Sequence, residues 1–288
     1  MMVDKQDRKI SIMGIVNLTD DSFYAGSRVL SAGGVFDPDH FLDVISGMIS
    51  EGADILDLGA CSTRPGSDSV SEDAEWARLE PALKILAAES PGAMISIDTF
   101  RPVIVSRSYD IIGPFIVNDV SGGSESMWKT VGELGLEYVA MHTRGTPKDM
   151  QSLTDYEDIV RDVKSFFQEI TMAADRFGVE KWILDPGFGF AKTVEQNWIL
   201  LKELAEFKEF GRPILAGLSR KSFLYKPLGI TPSEALPATC AANLLALQRG
   251  ASILRVHDIA PARQTVSVFA HFARDGASAP EPMPPSAL

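Results

Sequence analysis

The chain has 288 residues, 45% of them hydrophobic, with a net charge of −12. That length suits one α/β barrel of roughly 250 residues, and the acidity excludes a nucleic-acid groove, because phosphate backbones are held by clustered Lys and Arg. The two cysteines, Cys61 and Cys240, lie far apart without metal-ligand spacing, so a disulfide framework and a zinc site are not expected and a reducing, cytoplasmic compartment is.

In chain order, the start MMVDKQDRK is polar and carries no apolar signal core. Eight short, apolar, β-branched-rich runs then end near Asn17, Leu58, Asp98, Asn118, His142, Asp185, Leu218 and Val256. Helical periodicity fills the intervals over 39–51, 71–89, 101–109, 124–134, 154–177, 194–209, 232–249 and 261–273. None of the apolar runs reaches the length of about 18 residues that a membrane span needs. Strands separated by helical crossovers pair in parallel, and eight such units close into a single-domain (β/α)8 TIM barrel, here residues 10–275. A doubly wound open sheet is the competing arrangement. The segment 276–288, GASAPEPMPPSAL, has almost no large apolar residues with which to build a core and reads as a disordered tail.

Each strand run ends on a polar group: Asn17, Asp57 in DILDLG, Asp98, Asn118, His142, Asp185, Ser219 to Lys221, and Arg255 with His257. One such residue is often only the cap of the next helix. Eight in register need mutual pairing or a ligand, since an unpaired buried polar group costs roughly 1 to 3 kcal/mol. In a barrel these ends share the face where the chemistry of the architecture resides. DPGFGF fixes the Asp185 carboxylate at a strand end and uses glycines to bring Phe190 close, an arrangement suited to a flat, nitrogen-rich ring. SRKS after the seventh strand favours an anion, and STRPG (Ser62 to Gly66) is a rigid Pro-Gly turn in a loop before a helix. Met141 reads either as core filler or as a ring contact.

The segments MGIVNLTDDSF, DLGACSTRPG, SIDTF, VNDVSGG, MHTRGTPKDMQ, DPGFGFAKT, GLSRKSF and RVHD resemble, in order, the signatures of the dihydropteroate synthase family, over about residues 10 to 270. The resemblance implies a transferase of folate biosynthesis. Such an enzyme joins 6-hydroxymethyl-7,8-dihydropterin diphosphate to 4-aminobenzoate, releasing 7,8-dihydropteroate and diphosphate, with Mg2+ on the leaving group. It also implies that sulfonamides compete and that the protein is a homodimer; the apolar stripe of Leu244, Leu245, Leu247, Val268 and Phe269 reads first as core packing and second as a candidate dimer face. By the same resemblance, Asp98, Asn118, Met141, Asp185, Phe190 and Lys221 hold the pterin, and Asp98, Lys221 and Arg64 are catalytic. Asn17, Arg64, Arg255 and His257 hold the diphosphate, Asn17 also coordinating the metal, and Phe23, Thr63, Pro65 and Ser222 hold the aminobenzoate.

That allocation agrees with the chemistry. Breaking the C–O bond leaves positive charge on a pterin methylene, which a carboxylate such as Asp98 stabilises while cations stabilise the departing diphosphate. The chain departs from the family pattern at Asp20, at Tyr24-Ala25-Gly26, at Cys61 and at Ala235, which bears on the first loop and on aminobenzoate affinity. A pterin-dependent methyltransferase on the same barrel is the rival enzyme, against which SRKS and RVHD speak. A non-catalytic pterin binder is the rival from another class, against which the retained Phe23, Thr63, Arg64 and Pro65 speak.

Overall fold

Runs such as ILDLG, WILD and the centre of SIMGIVN bury nearly every position, the pattern of parallel strands covered on both faces. The computed structural model describes residues 10–19, 36–61, 70–90 and 92–273. The strands are β1 (Ser11–Asn17), β2 (Ile55–Gly59), β3 (Met94–Asp98), β4 (Ile116–Asp119), β5 (Glu137–Met141), β6 (Trp182–Asp185), β7 (Leu215–Ala216) and β8 (Ile253–Val256). They form one parallel sheet in the order β6-β5-β4-β3-β2-β1-β8-β7. A parallel bridge between Leu184 and Ile214, with the Leu184 N–H donating to Pro213 O at 2.9 Å, joins the two ends. The sheet is therefore a barrel and the open doubly wound arrangement is excluded.

The helices are α1 (Pro38–Ser50), α2 (Glu72–Glu89), α3 (Pro102–Ile112), α4 (Glu125–Leu134), α5 (Ile159–Phe177), α6 (Val194–Lys202), α7 (Ser222–Tyr225), α8 (Leu236–Arg249) and α9 (Ile259–Ala273). Their starts follow capping chemistry. Asp37, Ser71, Ser124 and Asp158 each accept first-turn backbone N–H groups, and Thr193 with Gln196 forms a capping box. Three helical spans differ from expectation. The span 154–177 begins only at Ile159, because Asp158 turns its side chain back onto the N–H groups of Val160 and Arg161. The span 194–209 breaks after Lys202 into a 3₁₀ stretch, Leu204–Phe210, and 232–249 begins with a 3₁₀ turn, Pro232–Glu234, before α8. The short α7 lies where no helix was read from periodicity, being too short to show one.

Inside the barrel, Met13, Ile55, Ile116, Val139, Ile183, Leu215 and Ile253 form an apolar plug. Two residues further along each strand the same face carries Ile15, Asp57, Asn118, Met141, Asp185, Gly217 and Arg255. The interior thus turns from apolar to polar within one strand period, toward the C-terminal ends. Outside, the opposite faces of the strands pack on the helices through a larger cluster that includes Leu58, Leu83, Phe167 and Phe207.

Candidate active site

Asp57 on β2 is fully buried and is the centre of the polar layer. Its carboxylate accepts from Ser96 Oγ at 2.6 Å, from Asn118 Nδ2 at 3.2 Å on each oxygen, and from Arg255 Nε at 2.7 Å, with Arg255 Nη2 in ion-pair contact at 2.6 Å. The same Nη2 donates to Asp98 Oδ2 at 2.9 Å. Burial works against the Arg255 charge, yet Asp57 and Asp98 hold its pKa above the usual arginine value. A carboxylate can only accept, so Asn118 must turn its amide nitrogen toward Asp57 and keep its oxygen for another donor. Asp98 Oδ1 is buried without a hydrogen-bond partner in the protein. Burial pushes the Asp98 carboxyl up to about 7, with Arg255 pulling against it and Asp57 adding to it.

On the β6 side, Asp185 takes the Gly187 N–H at 2.8 Å, and burial raises its pKa while Lys221 lowers it. The Lys221 ammonium donates to Phe188 O and sits 4.9 Å from the centroid of the Phe190 ring. Burial brings Lys221 down to about 8, with Asp185 opposing and Arg255 assisting. Met141 is buried at the end of β5. Gly187 has φ +70°, and a Cβ there would lie 1.9 Å from His142 O, so only glycine fits this turn.

Toward β8, Ser219 Oγ and His257 Nδ1 are 2.9 Å apart, and the His257 N–H donates to Ser219 Oγ at 3.3 Å. Ser222 opens α7, directly after Lys221. Arg220 differs from its neighbours in the SRKS turn. It sits at φ +55° and makes a bidentate pair with Asp258 at 2.9 and 2.8 Å, further donating to Pro232 O and Ser233 O. Its charge ties β7 to β8 and is not held out for a ligand in the way the sequence motif suggested. Asn17, partly exposed, ends β1 at the same rim. Phe23, Thr63, Arg64 and Pro65, with Asp20 and Tyr24 to Gly26, lie outside the described residues.

The structure thus brings together Asp98, Asn118 and Arg255 around Asp57, and Asp185, Lys221 and Phe190 beside them. Two residues of this neighbourhood carry no role from sequence. Lys192, 4% exposed, places Nζ 3.0 Å from His142 Nδ1, 2.9 Å from Gly187 O and from Phe190 O, and 3.3 Å from His142 O. Burial drives the Lys192 pKa far below its ordinary value, and that of His142 to about 2. The signal in the sequence was a lysine in FGFAKT, directly after a glycine turn and before a capping threonine, where a solvated residue is the ordinary expectation. Glu75 on α2, also buried, accepts from Thr99 Oγ1 at 2.7 Å and from Arg101, joining α2 to the end of β3.

The sequence matches the family described as pterin binding enzyme over residues 13–257. It is 38% identical over 254 residues to the dihydropteroate synthase of Escherichia coli strain K12, an alignment covering 86% of each chain. Among solved structures, the dihydropteroate synthase of Thermus thermophilus in complex with 4-aminobenzoate superposes with a TM-score of 0.79 at 34% identity, covering 91% of this chain and 94% of that one. The Yersinia pestis dihydropteroate synthase, in complex with a sulfonamide drug, superposes with a TM-score of 0.83 at 32% identity, covering 92% and 94%.

Proposed function

The chain belongs to the dihydropteroate synthase family of pterin-binding enzymes, and on that premise we propose how its barrel mouth divides the work of the reaction. It is a transferase of folate biosynthesis, joining a pterin diphosphate to 4-aminobenzoate. The observation that carries the allocation is the convergence of Asp98, Asn118, Asp185, Lys221 and Arg255 on one buried mouth, with one Asp98 oxygen lacking a partner in the protein.

Asp185 accepts ring N–H groups of the pterin, where each charge-assisted bond is worth about 1.5 to 3 kcal/mol. Lys221 donates to the ring from the other side, Asn118 presents its oxygen, and Phe190 and Met141 cover the ring. As the C–O bond of 6-hydroxymethyl-7,8-dihydropterin diphosphate lengthens, Asp98 faces the positive charge that grows on the methylene. Arg255, His257 and Arg64 hold the departing diphosphate. The 4-aminobenzoate amine then attacks the methylene, beneath Phe23, Thr63 and Pro65 and with its carboxylate near Ser222, giving 7,8-dihydropteroate. The Thermus protein is solved with 4-aminobenzoate and the Yersinia protein with a sulfonamide drug, which supports the reading that sulfonamides compete with 4-aminobenzoate here.

Among the described residues no group of three His, Cys, Asp or Glu side chains could hold a metal ion. Mg2+ keeps several waters and uses one or two protein oxygens plus phosphate oxygens, so on this reading it would arrive with the diphosphate substrate. The Asn17 amide oxygen at the rim would hold it, and when bound it neutralises charge on the leaving diphosphate. No helix among the described residues is long and apolar enough to cross a membrane. A cytoplasmic homodimer built from one barrel domain over residues 10–275 completes the reading.

The test is a coupled assay for diphosphate release with and without 4-aminobenzoate. Release that depends on the amine is the expected result. No release overturns the reading in favour of a methyltransferase or a binder, and release that does not depend on the amine overturns it in favour of a hydrolase of the pterin diphosphate.

A further inference from the structure

We propose that Lys192 is a positioning residue for the pterin, clasping the loop after β6 to the end of β5 through His142. The proposal rests on the functional reading above and adds to it a residue that touches neither substrate. Four acceptor positions surround one Nζ: two on the loop (Gly187 O and Phe190 O) and two on the strand end (His142 O and Nδ1). All are buried or nearly so. An amine withdrawn from water costs free energy unless its hydrogen bonds are returned. A lysine that merely filled space would be replaced without loss by methionine, whereas these bonds converge on carbonyls of one irregular segment.

That segment carries the pterin contacts. Asp185 immediately precedes it, and Phe190 ends the turn whose Gly187 and Phe190 carbonyls Lys192 grips. From the far side Lys221 holds Phe188 O, so the two lysines bracket a stretch that belongs to no strand or helix. Asn197 adds a third hold by accepting the Gly189 N–H at 2.6 Å while donating to Thr193 O. On the strand side, His142 is fixed edge-on to Phe166 at 5.1 Å, which gives the clasp a rigid anchor. The imidazole is neutral, and its ring nitrogen is therefore available to the amine in either protonation state of Lys192, as acceptor or donor by choice of tautomer.

A double-mutant cycle over Lys192→Met and His142→Phe tests this, with affinity for 6-hydroxymethyl-7,8-dihydropterin diphosphate measured by calorimetry. Michaelis constants for both substrates are taken alongside. Losing several buried bonds to a charged or strongly polar donor is expected to raise the pterin Kd about tenfold or more for Lys192→Met, and His142→Phe about threefold. The double variant is expected to bind no more weakly than Lys192→Met, because both act through one clasp. The KM for 4-aminobenzoate stays near wild type in each, a split that a general loss of structure does not produce. A Kd for Lys192→Met within about twofold of wild type, or penalties that simply add, overturns the proposal. Should Lys192→Met not fold, His142→Phe decides alone: an unchanged pterin Kd overturns it, and a rise confined to the pterin supports it. Failure of the wild-type protein to bind the pterin diphosphate would instead sink the functional reading.

Discussion

Asp98 and Lys221 have been moved toward each other on the pH scale from opposite ends. Burial lifts the Asp98 carboxyl to about 7 and lowers the Lys221 ammonium to about 8. Asp98 is thus ionised above about 7 and Lys221 protonated below about 8, so both carry charge together only in the narrow interval between. A bell-shaped kcat/KM for the pterin diphosphate is expected, with its limbs set by these two groups of the free enzyme. A profile flat from about pH 6 to about pH 9 would exclude one or both from the reaction. The same shifts act on stability with opposite signs. Between the ordinary carboxylate value and about 7 the folded chain holds a proton on Asp98 that the unfolded chain has lost, so its contribution falls as pH rises through that range. Between about 8 and the ordinary lysine value the unfolded chain holds the extra proton, and the Lys221 contribution rises with pH.

Among the elements, the loop from Pro186 to Thr193 is constrained by backbone geometry, with positive φ at Gly187, Gly189 and Ala191. A Gly187→Ala substitution would combine a left-handed φ of +70° with a methyl group 1.9 Å from the His142 carbonyl. Neither can relax without parting the loop from β5. The expected loss is about 3 kcal/mol or more, read as a fall in the urea midpoint, with pterin affinity lost in parallel. A midpoint unchanged within error would mean that the turn is not held as described. Elements of this kind were unevenly legible. Strand ends at Asp98, Asn118 and Asp185 could be read to within a residue or so because a buried apolar run stops abruptly at a polar side chain. The division of 194–209 into α6 and a 3₁₀ stretch could not, since both conformations tolerate the same apolar spacing over one or two turns. Lys192 was passed over for a related reason: burial of its amine depends on four acceptors, two of which are supplied from about fifty residues away.

At the scale of the whole molecule, α8 and α9 leave Leu245, Val268 and Phe272 exposed at 45%, 57% and 72%. The stripe expected from sequence shifts accordingly. Leu247 is buried, Leu244 and Phe269 are partly so, and Phe272 takes the outermost place. Exposed apolar side chains on two helices that pack together suit a self-complementary two-fold contact. On the proposed homodimer, Phe272→Glu shifts sedimentation toward monomer with the barrel intact; a wild-type chain that sediments as a monomer at all concentrations removes this face from consideration.

The alternation of eight strands with helices and the polar character of one rim were legible in the sequence alone, because both follow from local periodicity, whereas closure rather than an open sheet was decided by the bridge between Leu184 and Ile214. Partnership was decided only by the tertiary structure. Arg255 meets Asp57, 198 positions earlier in the chain, and Arg220 turns away from the mouth to Asp258. Register around the barrel selects which charges meet, and that register emerges only when every strand is in place. Which carboxylate comes within about 3 Å of a given cation is therefore set by the assembled barrel and not by the segment the cation sits in.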